Sequence, residues 1–204
     1  MRIENWELKI GNWELKLLLA SKSPRRRQLL GELGYPVEFI SLDVDEHVPA
    51  DTGADAVAEI LARRKAAACP ADHLAADEVL IAADTVVVHR GKVLGKPASR
   101  DEALAMLHAL AGDSHEVYTG VCLRTATQEL SFTEKTTVHF RPLDDSELAY
   151  YVDHYRPYDK AGAYGIQEWI GMVGVSGIEG CYYNVMGLPV ARVYEHLRKL
   201  FPSM

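Results

Sequence analysis

Lys16-Leu-Leu-Leu-Ala-Ser-Lys-Ser-Pro-Arg-Arg26 is the stretch on which the fold turns. Lys16–Ala20 is an apolar run of strand length. Ser23 before Pro24 is a helix start: serine is a favoured N-cap, and proline in the first turn lacks an N–H that would have no helical partner there. Strand, polar turn and helix in that order make the first half of a βα unit. The pattern predicts a helix over Pro24–Gly34 and a second strand over Val37–Ser41. The turn itself breaks a rule. A helix N-terminus is the positive end of the dipole, and a cation in its first turn costs about 0.3–1 kcal/mol. Arg25 and Arg26 stand there nonetheless. Two readings fit equally. One is a solvated basic turn, with Arg26 or Arg27 pairing to a neighbouring carboxylate. The other is an anion site, where free N–H groups and guanidinium forks share a phosphate.

Working outward, short apolar runs alternate with amphipathic stretches. Asp55–Cys69 has helical spacing, with Val57, Ile60, Leu61 and Arg64 on one side. Val79–His89 is a long strand-like run, broken only by Asp84-Thr85, and His89–Lys92 has turn chemistry. Arg100–Ala111 is a helix whose start, Ser99 with Glu102, fits a capping box. His115–Thr125 and Leu130–Arg141 form a β-hairpin, followed by helices over Asp144–His154 and Gly187–Phe201. Gly171, Gly174, Gly177 and Gly180 recur at every third position and suggest a loop with unusual dihedrals. Parallel βα units followed by a hairpin define an α/β fold: a mixed twisted sheet with flanking helices. No Gly/Ser linker divides residues 16–204, which read as one domain. Ahead of it, Glu4–Ile10 is nearly repeated as Gly11–Leu17, so residues 1–15 read as an extension carrying a duplicated heptapeptide. Two copies are too few for a solenoid.

The chain has 204 residues, 22 Lys plus Arg against 29 Asp plus Glu, and a net charge of −7. Such a balance argues against nucleic acid or an anionic membrane as partner, and no apolar run is long enough to span a bilayer. Polyanionic small molecules remain possible where basic residues gather. Cys69, Cys122 and Cys181 are odd in number and form no CxxC, which fits a reducing cytoplasm, and no basic-then-apolar leader is visible. Open sheet edges make a homodimer plausible.

Asp84 is the sharpest anomaly, because Asp is depleted from strand interiors and local violations cluster at functional sites. A carboxylate at a break in a central strand could orient water or hold a divalent metal; a bulge Asp bonding backbone amides would serve as well. Thr85 should face the other side of the sheet unless a bulge re-aims it. Asp43, Asp45 and Glu46 follow the second strand, and Asp45 or Glu46 could add an oxygen ligand. Lys65 borders the buried face of its helix, either as a snorkelling lysine or as a site cation. Lys96 lies in Gly95-Lys-Pro97, which is not a P-loop: the spacing is one residue short and the Ser/Thr for magnesium is missing. GxGxxG, GxSxG, HExxH and zinc-type clusters are absent. Gln167 closes the small-residue run Ala161-Gly-Ala-Tyr-Gly-Ile-Gln167, and its amide could both donate to and accept from a base edge.

Taken in order, Ala20–Arg26, Asp45-Glu46, Lys65-Ala66, Ala83-Asp-Thr85, Gly95-Lys-Pro97, Ala161–Gln167 and Asn184-Val-Met-Gly-Leu-Pro189 resemble the Maf family of nucleoside triphosphate pyrophosphatases. The resemblance covers roughly residues 16–200. It implies a two-lobed α/β fold, similar to inosine triphosphatases, with a central cleft for a nucleoside triphosphate. It also implies hydrolysis between the α and β phosphates with a divalent cation, Mg or Mn. By matching position, Asp84 is the proton acceptor, and Ser21, Ser23, Arg25, Arg26, Lys65, Thr85, Lys96 and Gln167 bind substrate. Glu46 and Asp84 would hold the metal. Arg25 after Ser-Pro, with Gln167, looks like the dTTP/UTP branch. A nucleotide-binding regulator of cell division and a purine-directed pyrophosphatase are the alternatives. Two positions depart from the pattern: Glu168 stands where glycine is usual, and Cys181 where an acid is common.

Overall fold

A computed structural model describes residues 15–42, 44–49 and 52–201. The duplicated heptapeptide lies almost wholly outside the described residues. Seven strands form one mixed sheet: β1 (Lys16–Ala20), β2 (Val37–Ile40), β3 (Glu78–His89), β4 (Lys92–Leu94), β5 (Ser114–Arg124), β6 (Glu129–Phe140) and β7 (Val175–Glu179). Their order is β2-β1-β3-β5-β6-β7, with β4 added to β3. β2, β1 and β3 run parallel, and the rest pair antiparallel. The early parallel pairing follows from helices α1 (Pro24–Gly31) and α2 (Ala54–Ala67), which carry the chain back across the sheet.

Both faces are covered. Alternation along β1 and β3 sends Leu17, Leu19 and Ile81 into the larger core, which also takes up Leu107 of α3 (Arg100–Leu110), Tyr151 of α4 (Asp145–Tyr155) and Val193 of α7 (Val190–Leu200). Leu18, Leu80 and Ala82 face the other way, onto Ala62 and Ala66 of α2. Near-continuous apolar strands are what a two-sided sheet needs.

Four local expectations are corrected. α1 stops at Gly31 rather than Gly34, because Gly34 turns the chain at φ +83° and Pro36 disfavours helix at Tyr35. β3 is not broken at Asp84: it runs unbulged, with Asp84 opposite Gly120 and Thr85 opposite Thr119. The Ser99 hydroxyl does cap Glu102 N–H, but the Glu102 carboxylate turns to the Ala98 N–H at 2.8 Å instead of closing the box. Finally, Gly171 and Gly174 lie in α5 (Trp169–Gly174) and Gly177 in β7; of that series only Gly180 takes a positive φ. Gly171 is required by packing, since a Cβ there would sit 1.8 Å from the Ile166 carbonyl oxygen.

Candidate active site

β1 ends at Ala20, paired with Ala82, and β4 joins the same edge of β3 only at Val87. Residues 83–86 therefore have β5 on one side and an open window on the other. Crevices at the carboxyl ends of parallel strands are where α/β sheets receive ligands. A cleft of about 430 Å³ opens there, lined by Ser21, Ser23, Arg25, Arg26, Glu46, Lys65, Asp84, Thr85, Lys96 and Gln167. These ten sequence-derived candidates face one hollow. Lys22 and Lys160 bring the lining to six cations against the carboxylates of Glu46, Asp84 and Asp159, a local positive excess in an acidic chain.

Alternation splits the window's two polar residues between the sheet faces. Asp84 meets α2, where Lys65 donates to its Oδ1 at 2.6 Å. The same ammonium lies 2.7 Å from Glu46 Oε1, and this contact holds the Glu46 carboxyl below its ordinary pKa. Asp45 is turned elsewhere, accepting the His47 N–H at 2.9 Å, and Asp43 lies outside the described residues. On the opposite face Thr85 accepts from Arg26 at 2.9 Å. Thr119 gives its one proton to the Asn184 carbonyl, so the 2.9 Å contact between the two threonines has Thr85 as donor.

Arg26 is thereby fixed: Nε donates to the Gly187 carbonyl at 2.7 Å while the other arm holds Thr85. It makes no ion pair among the described residues, and burial pulls its pKa down despite Asp84 nearby. An enclosed guanidinium bonded only to neutral oxygens is suited to an incoming anion. Ser23 caps α1 by accepting the Arg26 N–H. Arg25 instead pairs with Asp159 at 2.9 Å, a partner from the far end of the chain, whereas the carboxylate pairing expected of Arg26 or Arg27 is not found among the described residues: Arg26 bonds neutral oxygens and Arg27 lies over the Phe39 ring. Lys96 is exposed at the rim and makes no ion pair among the described residues. At the far end Gln167 Oε1 is buried without a hydrogen-bond partner among the described residues, which costs about 1–3 kcal/mol until something donates to it.

Residues given no role from sequence complete the frame. Asn184, fully buried, ties α6 (Tyr182–Met186) to the sheet by donating to the Val117 carbonyl at 3.0 Å and Thr136 Oγ1 at 2.9 Å. Asp159 and Lys160 precede the Gln167 loop, with Lys160 buried. A polar Asn just before Gly187 and an Asp-Lys pair just before a glycine-rich run were the available signals.

Two carboxylates around one cation position also fit a magnesium-type ion, which binds through one or two carboxylates and completes its shell with water and phosphate oxygens. No group of three or more His, Cys, Asp or Glu side chains that could hold a metal forms among the described residues, so an all-protein cage is not what is offered.

Sheet, basic cleft and paired carboxylates define an α/β protein built to hold a phosphorylated anion. The family described as Maf-like protein matches residues 16–200, and the chain belongs to it. A dTTP/UTP pyrophosphatase of Bacteroides fragilis is 50% identical over 187 residues, 91% of this chain and 96% of that protein. Proteins of the same name from Bacteroides thetaiotaomicron and Flavobacterium johnsoniae are 49% identical over 186 residues and 44% over 185, covering 91% of this chain and 96% and 95% of theirs. Among solved structures, the Ham1 protein of Staphylococcus aureus is similar with a TM-score of 0.42 and 15% identity, covering 61% of this chain and 71% of that one. That likeness is too slight to bear on function. No helix among the described residues is long and apolar enough to cross a membrane.

Proposed function

We propose that this chain hydrolyses dTTP and UTP to the monophosphate and pyrophosphate. The observation that carries the proposal is the cleft itself: Arg25, Arg26, Lys65 and Lys96, remote in sequence, converge with Asp84 on one hollow. A triphosphate tail bears close to four negative charges, and only such a local cluster makes an acidic chain attractive to it. The names of the relatives carry the pyrimidine preference.

Asp84 lines the cleft with Oδ1 held by Lys65, and its second oxygen is the acceptor we assign to the attacking water. Water adds to phosphorus at the α–β anhydride and its proton passes to Asp84. The bridging oxygen then leaves on pyrophosphate. Arg26 and Lys96 hold the departing phosphates, and Arg25 joins them when a stronger anion displaces Asp159. A divalent ion held by Glu46 and Asp84 would neutralise phosphate charge. Gln167, at the other end, would satisfy its buried Oε1 with a base N–H.

We place the protein in the cytoplasm, in keeping with three free, separated cysteines. We also suggest a homodimer through the sheet edges at β2 or β7, for which the mass in solution is the check. The deciding experiment for the activity is a panel of nucleoside triphosphates with magnesium or manganese, read by product identity. The expected result is UMP or dTMP with pyrophosphate. Orthophosphate with a diphosphate would refute the bond assignment, and faster turnover of ITP or GTP would favour the purine-directed alternative. Binding without turnover would favour the regulator.

A further inference from the structure

Glu168 follows the cleft amide Gln167 directly and occupies the N-cap position of α5, yet its side chain caps nothing. It turns back against Gly165. Oε1 accepts from Lys160 Nζ at 3.1 Å, and Oε2 accepts from the Tyr151 hydroxyl. That hydroxyl in turn accepts the Gly165 N–H at 3.0 Å. The loop over residues 161–167 is thus clasped at both ends, Lys160 before it and Glu168 after it, and pinned near its crest from α4.

The clasp is enclosed. Tyr151 is fully buried and Lys160 is 7% exposed. Burial, then Glu168, push the Tyr151 hydroxyl well above its ordinary pKa, so it remains a donor to the carboxylate. Packing over Gly165 is tight: a Cβ there would lie 2.9 Å from Glu168 Cδ and 3.0 Å from Gln167 Nε2. Carboxylate and amide therefore lie against the same glycine, and movement of one is felt by the other. The charges continue outward, Lys160 to Asp159 at 2.7 Å and Asp159 to Arg25 at 2.9 Å, joining the loop to the phosphate end.

We propose that Glu168 is a specificity-positioning residue: clasped between Lys160 and Tyr151, it fixes the Gly165–Gln167 turn and so sets how the Gln167 amide meets the base. The proposal rests on the nucleotide reading of the cleft, and it assigns a task to the position where this chain carries an acid in place of the usual glycine.

The test is equilibrium binding of α,β-imido analogues of UTP and GTP, in which nitrogen replaces the scissile bridging oxygen, with inorganic tripolyphosphate as a baseless probe. Wild type should prefer the uridine analogue. Glu168→Ala should shrink that preference about tenfold, the worth of one well-aimed hydrogen bond, while tripolyphosphate binding stays within about twofold. Glu168→Gln, which keeps an acceptor for Tyr151, should restore most of the preference. If Glu168→Ala does not fold, Tyr151→Phe removes one anchor with little change of volume and should shrink the preference in the same direction. An unchanged preference in the folded variant overturns the assignment. So does equal weakening of both analogues and tripolyphosphate, and so does a wild type without preference. Base discrimination by wild type that collapses in Glu168→Ala, with no pyrophosphate released when wild type is given UTP itself and magnesium or manganese, supports the assignment while overturning the hydrolase reading.

Discussion

The Lys65 ammonium donates to Asp84 Oδ1 at 2.6 Å, and this bond joins α2 to the open window of β3. It holds one carboxylate oxygen still. It also gives Asp84 and Glu46 a shared cation, without which two acids would face each other across the cleft. Asp84→Asn keeps the shape and removes the acceptor charge. The expected outcome is a fall in kcat of about 10²–10⁴-fold, the usual worth of a positioned base, with nucleotide affinity within a few-fold of wild type. Pyrophosphate release and equilibrium binding measure the two separately. Full turnover by the asparagine variant would end the case for Asp84 as base.

Gly120 pairs with Asp84 across the β3–β5 ladder, and α2 passes directly over it. A Cβ at Gly120 would lie 2.3 Å from Ala58 C and Glu59 N, backbone atoms that cannot turn aside. Gly120→Ala must push α2 outward and carry Lys65 from Asp84. The expected cost is about 1–3 kcal/mol, read as a lower Tm, together with lost turnover. Gly31→Ala is the contrast. Nothing lies within 4 Å of a Cβ there, and the residue is helical, so alanine should stabilise by about 0.5–1 kcal/mol. Equal Tm values for the two variants would contradict the packing argument.

The same glycine shows where the sequence was readable and where it was not. Strand and helix identities follow from period and caps, because Leu17–Ala20 and Ser23-Pro24 carry strong local signals. Asp84 was legible as an anomaly, since one carboxylate in an apolar strand has no local reason to be there. Its neighbours were not. That Lys65 would reach it depends on α2 crossing β5 at Gly120, a contact between residues remote in the chain. Arg25 and Arg26 look alike in the sequence, yet one pairs with Asp159 and the other is enclosed by Gly187 and Thr85. Only tertiary packing separates them. The break expected at Asp84 is absent for a related reason: the window opens because β1 ends, not because β3 does.

The two arginines should therefore answer differently to mutation. Arg26 uses the spread of its fork to bridge Gly187 and Thr85, which a single ammonium cannot reproduce. Arg26→Lys should weaken tripolyphosphate inhibition about tenfold or more, the worth of one charge-assisted hydrogen bond. Arg25→Ala breaks a half-exposed pair and should change stability by less than about 1 kcal/mol. Its effect belongs in selectivity, because Asp159 and Lys160 connect Arg25 to the Gln167 loop. The ratio of kcat/KM for UTP and GTP should shift. Identical inhibition constants for Arg26→Lys and wild type would show that the enclosed guanidinium does not hold the tail.

His115 offers a prediction that needs no ligand. It is buried, edge-on to Phe140 and Tyr164, with its Nε2 2.7 Å from the Tyr164 hydroxyl. Burial, with His89 and His139 nearby, lowers its pKa from 6.5 to about 4, against the opposing pull of Asp113. In the unfolded chain the ring takes up a proton near 6.5, whereas in the folded protein it does so only near 4. Between those values the unfolded state binds more protons, so stability rises with pH across that window and levels off above it. The slope due to this residue approaches about 1.4 kcal/mol per pH unit at its steepest. His115→Gln removes the titration while keeping a polar side chain. Its urea midpoint should change less between pH 6.5 and pH 4 than that of wild type, after the shared contribution of the carboxylates. Parallel midpoint curves for the two proteins would mean that His115 carries its proton in the folded state, and the Tyr164 contact beneath the cleft would then have to be an imidazolium donating to a phenol.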